Sequence, residues 1–352
     1  MRKTREKTKR RGWPGSVPGF IGCMAVLLLL GMGNPGMLFA QRKLTIKLAS
    51  MVPENTPWGA ALNEMSKEWA RVSGGTVELR VYHNGVLGGE ESVLSQLRLN
   101  QIQGAVFTSA GLSLIDREIM TLSAPFFIRN DAELARVLRD LKPDLEGKIN
   151  EKGFFTLAWA KSGWVKIFSR REVFVPNDLK RQKLATSPES PELSQAFKTM
   201  GYQMVPVSMN DILVSLNSGM IDAVYQSPAL VGGMQIFGIA KNMASINIAP
   251  FMGGIILNGR AWQRIPDAYK PGLMEVSRRI ADDISNSISR LEGDVIKTMT
   301  SYGLKINQIS PEQEQIWYAD VERAMPNLLG VTFDRELYQK IDRILQQYRS
   351  GQ

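Results

Sequence analysis

Few side chains in this sequence have a type and spacing that could carry out chemistry. His83 is the only histidine among 352 residues, which excludes a Ser-His-Asp triad and any metal site built on two histidines. We expect it to be a solvated loop residue. The pair Glu90-Glu91 could act as two carboxylates, but adjacent acidic residues where a helix begins more often interact with the helix dipole. The glycine-rich loop Gly85–Gly89 lacks the lysine and the spacing of a phosphate-binding loop. The sequence therefore favours a protein that is not an enzyme, with no cofactor and no metal.

The segments that would position functional side chains alternate between strands and helices in the first part of the chain. Alternating apolar and polar residues at Leu44–Ala49 predict a strand, and apolar residues at helical spacing over Trp58–Val72 predict a helix. Further strands are predicted at Val77–Tyr82 and Gly104–Phe107, with a helix over Val93–Leu99 between them. Strands that alternate with helices are typical of a parallel sheet covered by helices.

The same pattern returns in the second part of the chain. Two extended stretches within Phe154–Ser169 would carry the chain into a second α/β lobe, whose last predicted strand ends at Tyr225. Gly254–Asn258 is expected to return to the first lobe, and Asp267–Lys297 is predicted to form one long helix. We therefore predict an α/β fold with two lobes that form a hinged clamshell, braced by a long C-terminal helix that contacts both lobes.

The boundaries of the two lobes follow from these crossings. The first lobe is assigned residues 41–165 and about 252–275, and the second lobe residues 166–251 and about 276–352 with the bracing helices. Gly232-Gly233 and Gly253-Gly254 are candidate hinge positions, although glycines are also common in ordinary loops.

Residues 1–40 have the composition of a secretory signal peptide. Seven Lys and Arg with one Glu precede an apolar stretch at Phe20–Leu30, and the segment ends on Ala40, where we expect cleavage. The apolar stretch is short for a membrane span, and an uncleaved membrane anchor is the alternative. This segment contributes +6 to the net charge of +9, so the basic balance is not a nucleic-acid footprint. Cys23, the only cysteine, also lies here. We expect an exported, periplasmic protein.

Several short motifs in the remaining chain resemble, in order and spacing, those of one family of receptors. They are similar to the family's Gly-x-Leu-Gly loop (Val81–Glu90), Pro-Phe segment (Ala124–Phe127), Pro-x-Asp-Leu-Lys turn (Pro176–Lys180), Phe-x-x-Leu-Gly element (Phe197–Gly201) and Gly-x-Val-Asp-Gly element (Gly219–Ala223). The family is the extracytoplasmic solute receptors, or P subunits, of TRAP transporters, and the resemblance covers about residues 44–325.

The resemblance implies a fold and partners. The fold is that of the periplasmic binding proteins, in which the cleft between two lobes captures a small-molecule ligand. The receptor then delivers the ligand to TRAP membrane permease subunits that are driven by an ion gradient. In some TRAP systems a tetratricopeptide-repeat protein works beside the receptor, so such a periplasmic partner is plausible here.

One departure from the family pattern concerns ligand recognition. The family usually has Lys-Ile-Arg in the strand after the Asp-Leu-Lys turn, and that arginine pairs with a substrate carboxylate. A guanidinium suits this role because its planar fork forms two parallel hydrogen bonds with a carboxylate. Here the segment is Lys183-Leu184-Ala185, so Ala185 occupies the arginine position. Lys183 lies on the same face of the strand as Ala185 and could partly replace the arginine.

The residues expected to line the cleft, by position in the family pattern, are largely apolar. They are Met51, Trp58, Phe107, Thr108, Phe126 and Trp164 in the first lobe, and Ala185, Ser187, Met209, Tyr225, Gln226 and Met234 in the second. Many such side chains are plain core residues, and this alternative stays open for Met51, Phe126 and Met234. A pocket that lacks the arginine and is rich in Met and aromatic residues favours a hydrophobic, lipid-like ligand. Two alternatives stay open: an organic acid bound through other polar groups such as Lys166 or Lys183, and an envelope scaffold without a transported ligand.

Overall fold

The structure is a computed structural model that describes residues 43–188 and 191–351. The predicted signal peptide at residues 1–40, with Cys23, lies outside the described residues. Among the described helices, none combines the length and the hydropathy that a membrane crossing requires.

The first lobe begins with parallel strands joined by helices, as the alternating pattern predicts. Thr56 caps the first helix by accepting a hydrogen bond from the Gly59 backbone N–H at 3.2 Å, and Pro57 occupies its first turn. The elements are β1 (Leu44–Ser50), α1 (Pro57–Val72), β2 (Val77–Tyr82), α2 (Glu90–Arg98), β3 (Gly104–Thr108), α3 (Ser109–Ser113), a 3-10 helix (Arg117–Ser123) and α4 (Asp131–Glu151).

The second lobe is a further α/β unit that the chain enters along one long strand. Its elements are β4 (Phe154–Ser169), α5 (Pro176–Lys180), β5 (Lys183–Thr186), α6 (Pro191–Thr199), β6 (Gln203–Pro206), a 3-10 helix (Met209–Asp211), α7 (Ile212–Asn217), β7 (Ala223–Gln226), α8 (Pro228–Gly233), a 3-10 helix (Ile236–Gly238) and β8 (Asn242–Ala244).

The last part of the chain returns to the first lobe and ends in long helices. Its elements are β9 (Ala249–Asn258), α9 (Gly259–Arg264), α10 (Lys270–Ser301), β10 (Lys305–Asn307), α11 (Pro311–Leu328) and α12 (Arg335–Ser350). Ser310 and Gln313 form a capping box at the start of α11, with the Gln313 N–H donating to Ser310 Oγ at 3.3 Å.

The strands join the two lobes through one mixed sheet in the order β2-β1-β3-β9-β4-β7-β5-β6. β1 pairs in parallel with β2 and β3, and β5 pairs in parallel with β6 and β7. The first part of β4 pairs with β9, and its last residues, Lys166–Ser169, pair with β7. β4 is therefore the predicted crossing between lobes. Its pairing with β9 is irregular between Lys161 and Trp164, continues to Val165, and gives way to pairing with β7 from Lys166.

The long helix α10 contacts elements of both lobes, as predicted. It packs against α1 and β4 and also against α8. Against α1, the buried Trp69 indole N–H donates to Ser277 Oγ at 2.9 Å. The final helix α12 packs on α4 and on the 3-10 helix Arg117–Ser123 of the first lobe. The assignment of residues 276–352 to the second lobe and the bracing helices stays a prediction.

Two further predictions are corrected by packing. His83 is not a solvated loop residue, because it is 8% exposed and its Nε2 lies 2.9 Å from Asn63 Oδ1. Gly232 and Gly253 permit close packing and are not free hinge positions. A Cβ on Gly232 would lie 2.6 Å from Val295 Cγ1, and one on Gly253 would lie 2.6 Å from the Phe107 carbonyl oxygen.

Candidate functional site

Two adjoining cavities lie where the lobes meet. The first, here called the apolar cavity, encloses about 900 Å³ of space, open solvent at its mouth included, and is lined by α1, β3, β9, the start of α8 and Ile288 of α10. The second, here called the outer cavity, encloses about 1410 Å³ on the same measure and is lined by residues of the segments that end β3, β5 and β7. Met51, Thr108, Met209 and Phe251 line both, so the two cavities form one continuous interlobe cleft.

The parallel strands of both lobes place the cleft at their carboxyl ends. Met51 directly follows β1 and Thr108 ends β3 in the first lobe. In the second lobe, Thr186 ends β5 and Gln226 ends β7. The crevice at the carboxyl ends of strands is where open α/β sheets bind ligands, because backbone groups and loop side chains converge there.

Most of the residues predicted from the sequence lie along this cleft. The apolar cavity is lined by Trp58, Phe107, Thr108, Met51 and Met209. The outer cavity is lined by Ala185, Ser187, Tyr225, Gln226, Thr108, Met51 and Met209. Burial raises the pKa of the Tyr225 phenol, so this side chain stays neutral.

Phe126, Trp164 and Met234 lie outside both cavities, contrary to prediction. Phe126 packs edge-on against Tyr318 of α11, with ring centroids 5.2 Å apart. The Trp164 indole N–H donates to Asp131 Oδ1 at 2.8 Å, and its side chain is part of the core. Met234 packs in the core of the second lobe.

Several lining residues were not found from the sequence. They include Val106, Leu230, Phe251 and Ile288. Phe251 belongs to β9, which pairs with both β3 and β4, and Ile288 belongs to α10. Their positions depend on long-range strand pairing and helix packing, which residue spacing does not reveal.

No lysine or arginine is among the described residues that line the two cavities. The only charged side chain that lines them is Glu90, which is 7% exposed. Its carboxylate accepts hydrogen bonds from the Thr108 backbone N–H at 2.6 Å and from Thr108 Oγ1 at 2.8 Å. Gly111 leaves room for it, because a Cβ there would lie 2.4 Å from Glu90 Oε1. Glu90 therefore fixes the end of β3.

The two lysines considered as carboxylate partners point to other groups. Lys166 donates from Nζ to the Ser245 carbonyl oxygen at 2.9 Å and to Asn247 Oδ1 at 2.8 Å. Burial lowers its pKa to about 8, against the influence of Glu292. Lys183 donates from Nζ to the Gly219 carbonyl oxygen. Neither lysine lines the cavities, so neither replaces the missing arginine in this conformation.

Three polar atoms along the cleft are buried without a hydrogen-bond partner among the described residues. They are Trp58 Nε1 and Ser227 Oγ in the apolar cavity and Gln226 Oε1 in the outer cavity. All three belong to neutral side chains. The cleft thus combines apolar walls with a few uncharged donors and acceptors, as in many small-molecule sites.

A buried carboxylate lies beside the crossing between the lobes. Glu292 of α10 accepts a hydrogen bond from the Trp164 backbone N–H at 3.2 Å. Gly163 has a φ of +99°, and a Cβ there would lie 1.9 Å from Glu292 Oε1. Burial raises the pKa of Glu292 to about 7, and the hydrogen bond from Trp164 and the charges of Lys166 and Lys161 only partly offset this. The carboxyl group therefore joins α10 to the irregular part of β4.

Comparison with known proteins identifies the family. Residues 48–329 match the family described as bacterial extracellular solute-binding protein, family 7. A solute-binding protein of Verminephrobacter eiseniae is 23% identical over 242 residues, which are 68% of this chain and 72% of that protein. A C4-dicarboxylate-binding periplasmic protein of Rhodobacter capsulatus is 21% identical over 300 residues, which are 83% of this chain and 88% of that protein.

The fold has counterparts among solved structures. A TRAP periplasmic solute-binding protein from Sulfurospirillum deleyianum, solved with bound succinate, superposes with a TM-score of 0.80 at 21% identity. The match covers 86% of this chain and 99% of that one. This similarity confirms the predicted two-lobed α/β fold.

Proposed function

The chain belongs to the family 7 bacterial extracellular solute-binding proteins, the family of the TRAP solute receptors, and we propose that its interlobe cleft captures a small, uncharged and largely apolar solute. Members of this family are receptors and not enzymes. The observation that carries the proposal is the lining of the two cavities, which includes no basic side chain and has Ala185 in the position where the family resemblance predicts an arginine.

The electrostatics of the cleft argue against the organic anions bound by some relatives. The Rhodobacter capsulatus protein is described as binding C4-dicarboxylates, and the Sulfurospirillum deleyianum structure contains succinate. A buried carboxylate loses its hydration and needs a charged or multiply hydrogen-bonded partner to offset that cost. No lysine or arginine among the described lining residues supplies such a charge. An uncharged solute avoids this cost.

Burial of the apolar part of such a solute would contribute enough free energy for binding. Transfer of each CH₂ group from water to an apolar site contributes about 0.8 kcal/mol, so an eight-carbon chain contributes roughly 6 kcal/mol before the entropic cost of association. Longer or ringed solutes would bind more tightly.

Export and partners follow from the same proposal. A receptor of this family would act outside the cytoplasm, in keeping with the signal-like composition of residues 1–40, and would deliver its solute to a TRAP membrane permease. A tetratricopeptide-repeat partner stays a prediction that rests on the family resemblance alone.

Replacement of Ala185 by arginine tests the proposal. The wild-type chain is expected to be stabilised thermally by 1-octanol and not by octanoate or succinate, because a ligand raises stability only when it binds the folded state. Ala185→Arg would place a guanidinium in the outer cavity, and we expect octanoate to become at least about tenfold tighter as one charge-assisted pair forms. Differential scanning fluorimetry over a range of ligand concentrations would measure both effects.

The matched control is Ala268→Arg, which adds the same charge at an exposed turn outside the cleft. This variant is expected to respond to the three compounds as the wild-type chain does. Stabilisation of the wild-type chain by succinate or octanoate in preference to 1-octanol would contradict the proposed function. If Ala185→Arg and Ala268→Arg behaved alike, Ala185 would not occupy the ligand position.

A further inference from the structure

Two polar side chains of the apolar cavity have hydrogen-bonding atoms that find no partner among the described residues. Trp58 is 6% exposed and its Nε1 is unpaired, and Ser227 is 0% exposed and its Oγ is unpaired. Both residues line the apolar cavity, Trp58 from the first lobe and Ser227 from the second. Buried polar groups are nearly always hydrogen-bonded, because an unpaired one loses its bonds to water without replacement.

The position of Ser227 makes its unpaired hydroxyl informative. It precedes Pro228 at the start of α8, where a serine hydroxyl usually accepts a hydrogen bond from the backbone of the first turn. No such bond forms here, so the hydroxyl makes no capping interaction with the helix. Capping of α8 therefore does not explain why a serine lies at this position, whereas a hydrogen-bond partner in the cavity would.

The same chain contains a satisfied pair of the same two residue types. Trp69 and Ser277 are both 0% exposed, and the Trp69 indole N–H donates to Ser277 Oγ at 2.9 Å. The Ser277 hydroxyl in turn donates to the Leu273 carbonyl oxygen at 2.7 Å. Trp58 and Ser227 are the same two residue types without such a partner among the described residues, and both line the apolar cavity.

We propose that Trp58 and Ser227 together bind one uncharged oxygen-bearing group of the solute, and that the rest of the solute occupies the apolar cavity. This inference rests on the proposed function, because it specifies the ligand class of the same cleft. The indole N–H only donates, so the bound group must offer a lone pair, and the serine hydroxyl can donate or accept. A hydroxyl, carbonyl, ester or ether oxygen meets these conditions, whereas a hydrocarbon and an ammonium group do not.

The proposed site would also make closure of the two lobes depend on the polarity of the ligand. An oxygen held by Trp58 of α1 and Ser227 beside α8 would bridge the two lobes, because each lobe contributes one of the two groups. A purely apolar solute of the same length would fill the cavity without this bridge. The receptor would then discriminate by a single polar group, since a site with unpaired buried groups rejects analogues that cannot pair them.

The test compares two probes of equal length, 1-octanol and 1-fluorooctane, on the full chain. Binding is measured by displacement of the fluorescent apolar probe N-phenyl-1-naphthylamine. We expect the wild-type chain to prefer 1-octanol by about tenfold, which is the contribution of one to two net hydrogen bonds. Trp58→Phe and Ser227→Ala should each reduce this preference by about three- to tenfold, because each removes one of the two groups.

Ser277→Ala is the matched control for Ser227→Ala. Ser277 is equally buried but already paired and lies outside both cavities, so its loss should leave the preference for 1-octanol unchanged. Without ligand, Ser277→Ala should lower the melting temperature by about 2–4 °C, because it leaves the Trp69 indole unpaired. Ser227→Ala should not lower it, because no internal hydrogen bond is lost.

The outcomes separate this inference from the proposed function. Equal binding of 1-octanol and 1-fluorooctane by the wild-type chain would overturn the role of Trp58 and Ser227 while leaving an apolar cleft. A tenfold preference that both variants retain would overturn it as well. Failure of both probes to displace the dye, with displacement by octanoate, would instead overturn the proposed function.

Discussion

Two single residues, Ala185 and Glu90, determine the charged and hydrogen-bonding groups that this chain presents in the outer cavity. Ala185 carries neither charge nor hydrogen-bonding group into the outer cavity, and Glu90 is held by Thr108 at the end of β3. The alanine could be located from the sequence because it follows the Asp-Leu-Lys turn at a fixed spacing. The position of Glu90 could not, because its contact with Thr108 joins two segments that residue patterns treat separately.

The sequence also does not reveal which buried polar atoms lack a hydrogen-bond partner. Trp58 was predicted to line the cleft, but the sequence does not show that its indole N–H has no partner whereas that of Trp69 donates to Ser277. Trp164 was also predicted to line the cleft, and its indole N–H donates to Asp131. For an aromatic residue, the partner of the polar atom decides between a core and a binding role.

Glu292 is expected to make stability depend on pH. Burial raises its folded pKa to about 7 from an ordinary value of 4.5, so between these values the folded chain binds more protons at this site than the unfolded chain. Its contribution to the free energy of unfolding is present in full below pH 4.5 and is lost as the pH rises through about 7. The urea midpoint of the wild-type chain should therefore fall between pH 5 and pH 7.5. In Glu292→Gln this fall should be smaller, by an amount equivalent to about 2 kcal/mol in the free energy of unfolding.

The control for this prediction is Glu151→Gln, which removes an exposed carboxylate at the end of α4. It should keep the wild-type dependence on pH. The measurement is urea unfolding followed by circular dichroism at both pH values. A Glu292→Gln variant with the same difference in midpoint as the wild-type chain would show that Glu292 does not titrate in this range.

Elements with a strong periodic pattern were predicted well. The alternating residues of β1, the apolar run of β4 and the helical spacing along α10 each carry their own signal, and the structure confirms all three elements. The helix α4 was missed although it runs over Asp131–Glu151, because Pro143 within it reads as a helix breaker. The parallel pair β8–β10 was also missed, since strands of three residues depend on pairing across a long separation.

The docking of α12 onto α4 is an element-scale feature that can be tested. Arg349, in the last turn of α12, donates from Nε and Nη2 to the two carboxylate oxygens of the buried Glu133 at 2.8 and 2.9 Å. Against the effect of burial, these bonds hold the pKa of Glu133 below its usual value. Arg349→Ala would leave this carboxylate without its partner, and we expect a loss of about 2–3 kcal/mol in the free energy of unfolding.

Arg343→Ala is the appropriate control, because Arg343 is exposed on the same helix and is bonded to a backbone carbonyl within it. Urea midpoints at neutral pH would compare the two variants. If Arg349→Ala unfolded at the same urea concentration as Arg343→Ala, the pair with Glu133 would not be what attaches α12.

At the scale of the whole molecule, the fold was predictable and the solute was not. The sequence predicts two α/β lobes, with the chain leaving the first lobe for the second and later returning, and this order requires the crossing at β4. The chemical character of the cleft depends on side chains contributed by β3, β5, β7, β9, α1, α8 and α10, which only the assembled lobes bring together. The same architecture thus accommodates anionic solutes in relatives and, we infer, neutral ones here.

The most direct test of the account is mass spectrometry of the solutes that copurify with the chain. The protein would be isolated from its own cells without added ligand and extracted with organic solvent, with a cleft-altered Ala185→Arg preparation treated in parallel. We expect an uncharged, hydrocarbon-rich compound with at least one oxygen, near one equivalent per wild-type chain and depleted from the variant. A dicarboxylate or a sugar acid at one equivalent per wild-type chain would contradict the central claim.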